Sequence, residues 1–385
     1  MLRLSARCNI GRFVAIMGLL SAGCAAKTVE PTPTATYVLS VTHGTGSGRY
    51  SPGKTIHIWA DPYNSGWTFD SWKGDSVSLF DGRSMHVTFV MPSRNVQIEA
   101  TYRQVPIWQA NYESIANRDV YYFFPPALKG AILFFHGSGG NSREWTNVGT
   151  ERHRFFDEAI AEGYAIIAID SADRINNQWS LSLATGTNVD VQAIENTLEI
   201  FTSRGQIPLN VPIYAIGMSR GGRFATLVGY ALHMKAVAIV VGDMLNELTA
   251  VTSIPTIWCL AEHDPIIERK AALANYKKLI KRGVDAEFYI HPPTPIYPLY
   301  FVDVKGIDMA ASEELFGALK TNGYVDENNF LIRNPRLSGW EKQIAGAYPE
   351  DVRLDIQDRL FVAFGEHAFY SDCDYRILDF FDSHL

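Results

Sequence analysis

Charge is scarce in this sequence. Charged residues make up 19% of the 385, and acids outnumber bases 41 to 34. A formal net charge of −7 leaves no general electrostatic footprint for nucleic acid or for an anionic membrane surface. Cysteine is scarcer still, with four residues, Cys8, Cys24, Cys259 and Cys373. Their spacing fits no metal motif. A long apolar run is also missing near the N-terminus. Residues 13–20 are an apolar stretch of eight, too short to cross about 30 Å of hydrocarbon as a helix. What is plentiful is apolar side chain, 47% of the total. That fraction permits a sizeable core and excludes wholesale disorder. The length suggests two or three domains.

The first 24 residues read as an address. Arg3, Arg7 and Arg12 precede the apolar run, and no acid stands among them. Small residues follow, Ser21-Ala22-Gly23, and then Cys24. This is the order of a signal peptide. It resembles a bacterial lipoprotein signal, which implies that Cys24 becomes the lipidated N-terminus. One position departs from that pattern: Ser21 stands where the family prefers Leu, with Leu20 one step further out. The alternative is ordinary cleavage after Ala22 or Ala26, with Cys24 incidental and the protein secreted. Residues 1–23 are therefore expected to be a signal peptide, and residues 24–35, rich in Pro and Thr, a tether. The expected location is the cell envelope, with the membrane touched only through the lipid on Cys24. Cys259 and Cys373 read as two buried thiols, or as a disulfide in an oxidising compartment.

Residues 36–103 change character. Segments 37–41, 55–59, 67–72, 85–90 and 96–100 are short, aromatic or β-branched, and partly alternating. Glycine-rich turns separate them, so the pattern predicts strands with no room for a helix. The segment resembles the divergent internalin B-type bacterial repeat. The residues that carry the likeness are Gly46, Gly48, Tyr50 and Gly53, then Gly66 to Phe69 with Trp72 and Gly74. The closing Phe89 to Pro92, with Asn95, Val96 and Ala100, completes it. The resemblance implies a spacer or contact surface without chemistry of its own. Trp59, Trp67 and Trp72 read either as a carbohydrate-binding face or as core aromatics of a small domain.

From residue 104 the sequence alternates strand and helix. Apolar runs at 131–135, 165–169, 211–216, 236–241, 256–260 and 286–290 predict a mostly parallel sheet covered on both faces. Chemistry is expected at the carboxyl ends of those strands. Gly217-Met218-Ser219-Arg220-Gly221 follows one such strand and precedes a helical run at 223–233. A nucleophile elbow needs this arrangement: a Ser in a strained turn, with glycines that let neighbouring backbone approach. His136-Gly137-Ser138-Gly139-Gly140 follows an earlier strand. The N–H groups of Ser138 and Arg220 are the candidate oxyanion donors, and His136 reads as a loop organiser. The acid is read as Asp264, after the Ser in chain order and just beyond a strand, with Asp243 as its rival; Asp170 precedes the Ser. The base is read as His367, on a loop just before the last helix, with His291 as its rival. His263, beside the acid, reads as a pocket wall or surface residue, and the remaining histidines as structural.

Residues 104–385 resemble the α/β-hydrolase superfamily through the oxyanion loop, elbow, acid and histidine in that order. The two glycine-rich motifs look most like the feruloyl esterase and poly(3-hydroxybutyrate) depolymerase-like branch. The fold class implied is α/β: a doubly wound, mostly parallel sheet preceded by the small all-β module. The long stretch between Asp264 and His367 departs from the pattern. Residues 292–355 are read as a cap insertion whose aromatics, Tyr297, Tyr300, Phe301, Phe316, Tyr324 and Trp340, either line a pocket or pack the cap onto the sheet. The resemblance implies an exported serine esterase, with no metal or organic cofactor, acting on small or polymeric esters. A serine peptidase of the same fold, a lipase and a non-catalytic surface-binding protein remain as alternatives.

Overall fold

A computed structural model describes residues 35–385, apart from 64–65, 76–81, 148 and 344–347. The signal peptide, Cys24 and the tether to residue 34 lie outside the described residues. No helix among the described residues is long and apolar enough to cross a membrane.

The N-terminal module contains β1 (Tyr37–Thr42), β2 (Gly48–Tyr50), β3 (Thr55–Trp59), β4 (Trp67–Gly74), β5 (His86–Val90) and β6 (Val96–Gln104). One sheet runs β2-β1-β6-β4 and the other pairs β3 with β5. Alternation places Ile56, Ile58, Val87 and Phe89 inward, around Trp72 and Phe69. The three tryptophans therefore form no common face. Trp72 is fully buried and Trp67 is 42% exposed. Trp59 leaves the module and packs among aromatics of the cap. Its Nε1 donates to the Pro295 carbonyl at 2.9 Å. Nearby, Arg103 pairs with Glu158 and Glu162, and His57 meets Phe330 edge to face. Residues Thr36–Leu385 form one compact unit, so the module is docked and not merely strung in front.

The large sheet holds β7 (Asn111–Ile115), β8 (Arg118–Phe123), β9 (Gly130–Phe135), β10 (Tyr164–Ile169), β11 (Ile213–Met218), β12 (Val237–Val240), β13 (Thr256–Ala261) and β14 (Ala286–His291). Their order is β14-β13-β12-β11-β9-β10-β8-β7. The pairs from β10 to β14 are parallel, while β8 runs antiparallel to both neighbours. The helices are α1 (Arg143–Asn147), α2 (Thr150–Ala161), α3 (Val189–Ser203), α4 (Arg220–Ala231), α5 (Asn246–Val251), α6 (Arg269–Lys281), α7 (Met309–Thr321), α8 (Pro335–Ser338), α9 (Trp340–Gln343), α10 (Glu350–Phe364) and α11 (Asp374–Asp382). Strand β9 is buried throughout, and its side chains alternate between two cores. Leu133 and Phe135 join Ile194, Phe224 and Leu227 on one face. Ile132 and Phe134 join Phe155, Phe156 and Phe381 on the other. A sheet apolar on both faces needs helices on both, and this strand order with that covering is the α/β-hydrolase fold.

The hairpin β7–β8 has no counterpart in the sequence reading. Its turn, Ala116-Asn117, holds both residues at positive φ without the glycine that usually announces such a turn. The cap also differs from expectation in its end. Helix α10 runs to Phe364, past the predicted boundary at 355. Tyr297, Tyr300, Phe301, Tyr324 and Trp340 are buried together with Ile356 and Leu360 of α10, and Phe316 packs against them. Of the two readings, packing is the one observed.

One buried ion network ties α2, α10 and the following loop together. Glu151 pairs with Arg359 and Arg154 and accepts from the Ser371 N–H at 3.0 Å. Burial pushes its carboxyl up, but Arg359 and Arg154 outweigh that and hold it at about 2, against an ordinary 4.5. A depressed acid contributes stability above its unfolded value and loses it as pH falls through the folded one. Glu151 should thus supply about 3 kcal/mol that disappears between about pH 4.5 and pH 2. In Glu151→Gln the unfolding free energy, measured by urea at several pH values, should be lower at neutral pH. Its fall across that window should also be shallower. An unchanged acid slope would show that Glu151 is not the group responsible.

Candidate active site

Strand β11 ends at Met218 and α4 begins at Arg220. Ser219 between them sits at φ 55°, ψ −119°, a conformation that costs an L-residue about 1–3 kcal/mol. The surroundings enforce it. Its N–H donates to the Val240 carbonyl at 2.9 Å, and its own carbonyl accepts from Gly222 N–H at 3.0 Å. A Cβ on Gly217 would collide with the Gly221 carbonyl, and one on Gly221 with the Phe135 carbonyl. Only glycine lets these backbones cross. The strained strand-to-helix turn expected at Ser219 is thus observed.

The 136–140 loop passes over the elbow. A Cβ on Gly137 would stand 3.5 Å from the Ser219 Cβ. Among the described residues, the N–H groups of Ser138 and Arg220 donate to no protein acceptor. For Arg220 the reason is its place at the first position of α4, where no intrahelical acceptor exists. Its side chain is occupied elsewhere, with Nε and Nη2 on the Trp179 carbonyl at 3.0 and 2.8 Å. Trp179 in turn donates to the His136 carbonyl at 2.9 Å. His136 Nδ1–H donates to the Gly137 carbonyl and Nε2 accepts from the Ser171 N–H. Burial pulls its pKa down to about 4, so it stays neutral and organises the loop.

Asp264 follows β13. Its Oδ1 accepts from the N–H groups of Ile266 and Ile267, at 2.7 and 3.0 Å. Its Oδ2 lies 2.8 Å from His367 Nδ1. The two side chains are 3% and 9% exposed. With Nδ1 held, Nε2 is the ring nitrogen left for a reacting group. The neighbouring His263 fastens the two loops to each other. Its N–H donates to the Gly365 carbonyl at 2.8 Å, and its Nδ1 is 2.9 Å from the Phe364 carbonyl. His263 is thus a clasp and not a pocket wall.

The rival residues are engaged elsewhere. Asp243 accepts from Asn275 Nδ2 and from the Met244 N–H. Asp170 pairs with Arg174 and accepts from the Ser142 N–H. His291 has both ring nitrogens taken, Nδ1 by Asp372 and Nε2 by the Val362 carbonyl at 2.9 Å. Burial lowers its pKa, but Asp372 outweighs burial and the net shift is upward. Asp372 and Glu151 were given no role in the sequence reading. Neither stands in a motif: Asp372 reaches His291 through the packing of the 365–373 loop, and Glu151 reaches Arg359 through the packing of α2 against α10.

Cys259 and Cys373 are free and buried. A hydrogen bond with the Cys259 side chain, followed by burial, pushes the Cys373 thiol well up. No cluster among the described residues offers three His, Cys, Asp or Glu side chains to a metal. Two cavities, of about 230 and 630 Å³, open between the β module and the side of the hydrolase domain formed by α2 and the cap. Neither is lined by Ser219, Asp264 or His367.

Residues 34–106 match the family model of the divergent InlB B-repeat domain, in agreement with the module read from sequence. No curated protein matches the chain. Among solved structures, Est1E from Butyrivibrio proteoclasticus is similar at 14% identity, covering 56% of this chain and all of that one, with a TM-score of 0.36. A highly thermostable carboxyl esterase from Bacillus coagulans is similar at 10% identity, over 48% of this chain and 89% of its own, with a TM-score of 0.38. A ferulic acid esterase is similar at 13% identity, over 48% and 90%, with a TM-score of 0.37. Likeness at this level carries no argument about activity; the fold rests on the strand order and the elbow.

Proposed function

We propose that this protein hydrolyses carboxylic esters through a Ser219–His367–Asp264 triad. The observation that carries the reading is the 2.8 Å Asp264–His367 pair at the same carboxyl-end edge as a Ser held at φ 55°. In the first step the Ser219 Oγ forms a bond to the ester carbonyl carbon while its proton passes to His367 Nε2. The carbonyl π electrons move onto oxygen, where the N–H groups of Ser138 and Arg220 receive the charge. The tetrahedral intermediate collapses by breaking the bond to the alkoxy oxygen, which leaves with the proton from His367. Water then attacks the acyl-enzyme with His367 as base, releasing the acid and restoring Ser219. Asp264 orients the imidazole and stabilises its cationic form. This chemistry calls for no metal or organic cofactor.

The finer reading is a feruloyl or polyester-type substrate, drawn from the two glycine-rich motifs. A p-nitrophenyl ester chain-length series, run beside feruloyl and polyester substrates, tests both levels. Turnover of none of them would sink the esterase reading, and a preference for short unsubstituted acyl chains would sink the finer one.

The proposed location is the cell envelope, through a lipid on Cys24. Cys24→Ser should move the protein from the membrane fraction to a soluble exported one, because the thioether that holds the diacylglycerol is lost. A wild-type protein already soluble after export would show that Cys24 carries no lipid.

A further inference from the structure

We propose that Arg336 is a positioning residue for the general base: it latches the cap to the loop that carries His367. The inference rests on the triad reading above and extends it to a residue that no motif marks.

Glu366 directly precedes His367, and its side chain is fully buried. A carboxylate there is costly unless it is paired and hydrogen-bonded. Arg336 of α8 supplies the pairing. Its Nε lies 3.2 Å from both carboxylate oxygens and its Nη2 3.0 Å from Oε2. The guanidinium also lies over the Phe361 ring, 4.6 Å from its centroid. Phe361 belongs to α10, the helix that leads into the base loop. This planar fork, stacked on one face and bidentate along one edge, suits arginine and not lysine. Arg336 is itself held in place. Asn334 caps α8 by accepting the Arg336 N–H at 2.8 Å, and Pro335 opens the helix.

The other side of the loop is equally fixed. The Glu366 N–H donates to the Phe361 carbonyl at 2.9 Å, and the Tyr370 hydroxyl donates to the Glu366 carbonyl. Gly365 makes the turn at φ 75°. The Arg336–Glu366 pair thus crosses from α8 of the cap to this loop, and it is made by the residue next to the base. Without Arg336, the buried carboxylate is stabilised by moving toward water. That movement carries the adjacent imidazole with it. A displacement of about 1 Å at a reacting group costs about 100-fold in rate.

The test uses Arg336→Gln, Arg336→Lys, Glu366→Gln and the double variant Arg336→Gln/Glu366→Gln, with p-nitrophenyl acetate as the probe. Arg336→Gln should lower kcat about 10- to 100-fold while KM changes less than about 2-fold. Arg336→Lys should recover part of the loss. The double variant should be more active than Arg336→Gln alone, because it removes the charge that drives the displacement. It also keeps the test open if the single variant folds poorly. An Arg336→Gln protein with wild-type kcat, or a double variant worse than the single, would overturn the latch. A wild type without ester turnover would sink the esterase reading alone. The latch is then read from the downfield proton resonance of His367 Nδ1–H, assigned by its loss in His367→Ala. It should be present in wild type and broadened in Arg336→Gln; a resonance equally sharp in both would overturn the proposal.

Discussion

Ser219→Ala should lose ester turnover by about a millionfold in kcat, the scale on which a serine triad fails when its nucleophile is removed. The folded state should hardly register the change. The strain at this position lies in the backbone, at φ 55°, ψ −119°, and alanine has the same Cβ to accommodate there. Among the described residues the Ser219 hydroxyl makes no hydrogen bond, so its removal leaves no partner stranded. Thermal unfolding should therefore shift by no more than a degree or two for a change near zero in free energy. The measurement is initial rate on an activated ester beside a melting curve of the same preparation. Retained turnover would exclude the serine mechanism. A large drop in melting temperature would mean that the hydroxyl has a structural partner.

His367→Ala and His291→Ala should fail in opposite ways. Both histidines sit beside an aspartate, and sequence order alone leaves either one available as the base. The geometry separates them. Among the described residues His367 is bound on one nitrogen, by Asp264, whereas His291 is bound on both. A general base needs a free nitrogen facing the nucleophile. His367→Ala should cost several orders of magnitude in kcat with little effect on folding, as triad removals do. His291→Ala should keep most of its kcat. It should instead lose about 1–3 kcal/mol of stability, because two buried hydrogen bonds go with the imidazole: Asp372 keeps the Tyr289 hydroxyl and the Val362 carbonyl keeps the Gly365 N–H, each one donor fewer than before. Rates and urea unfolding curves of both variants decide the matter. A dead, stable His291→Ala with an active His367→Ala would reverse the assignment.

The legible part of this protein is the part that obeys strict local rules. The elbow could be read because only glycine fits at Gly217 and Gly221, and the strands β9 to β13 because burial on both faces leaves continuous apolar runs. The module could be read because its turns and aromatics follow a family pattern. Chain order and strand position favour Asp264 over Asp243 in the sequence, whereas the contacts of Asn275 with Asp243 cannot be seen there. The hairpin at Ala116-Asn117 is not legible because its turn carries no glycine. Glu151, Asp372 and the Arg336–Glu366 pair were invisible for a different reason. A buried ion pair is a relation between residues far apart in the chain, and neither partner looks unusual alone. The cap aromatics fall between these cases: their burial was predictable, but whether they faced a substrate or one another was not.

Trp59 has a consequence for how the chain matures. Its indole nitrogen is satisfied by a carbonyl 236 residues later, in a stretch made long after the module itself. During synthesis the module can close its own core around Trp72 and Phe89 as soon as it is available. The Trp59 indole N–H then has only water as a partner, and its ring stays open to water or to other chains until the cap arrives. The segment that looks most self-sufficient in the sequence is therefore the one left waiting, with a large aromatic surface exposed, for almost the whole of the remaining chain.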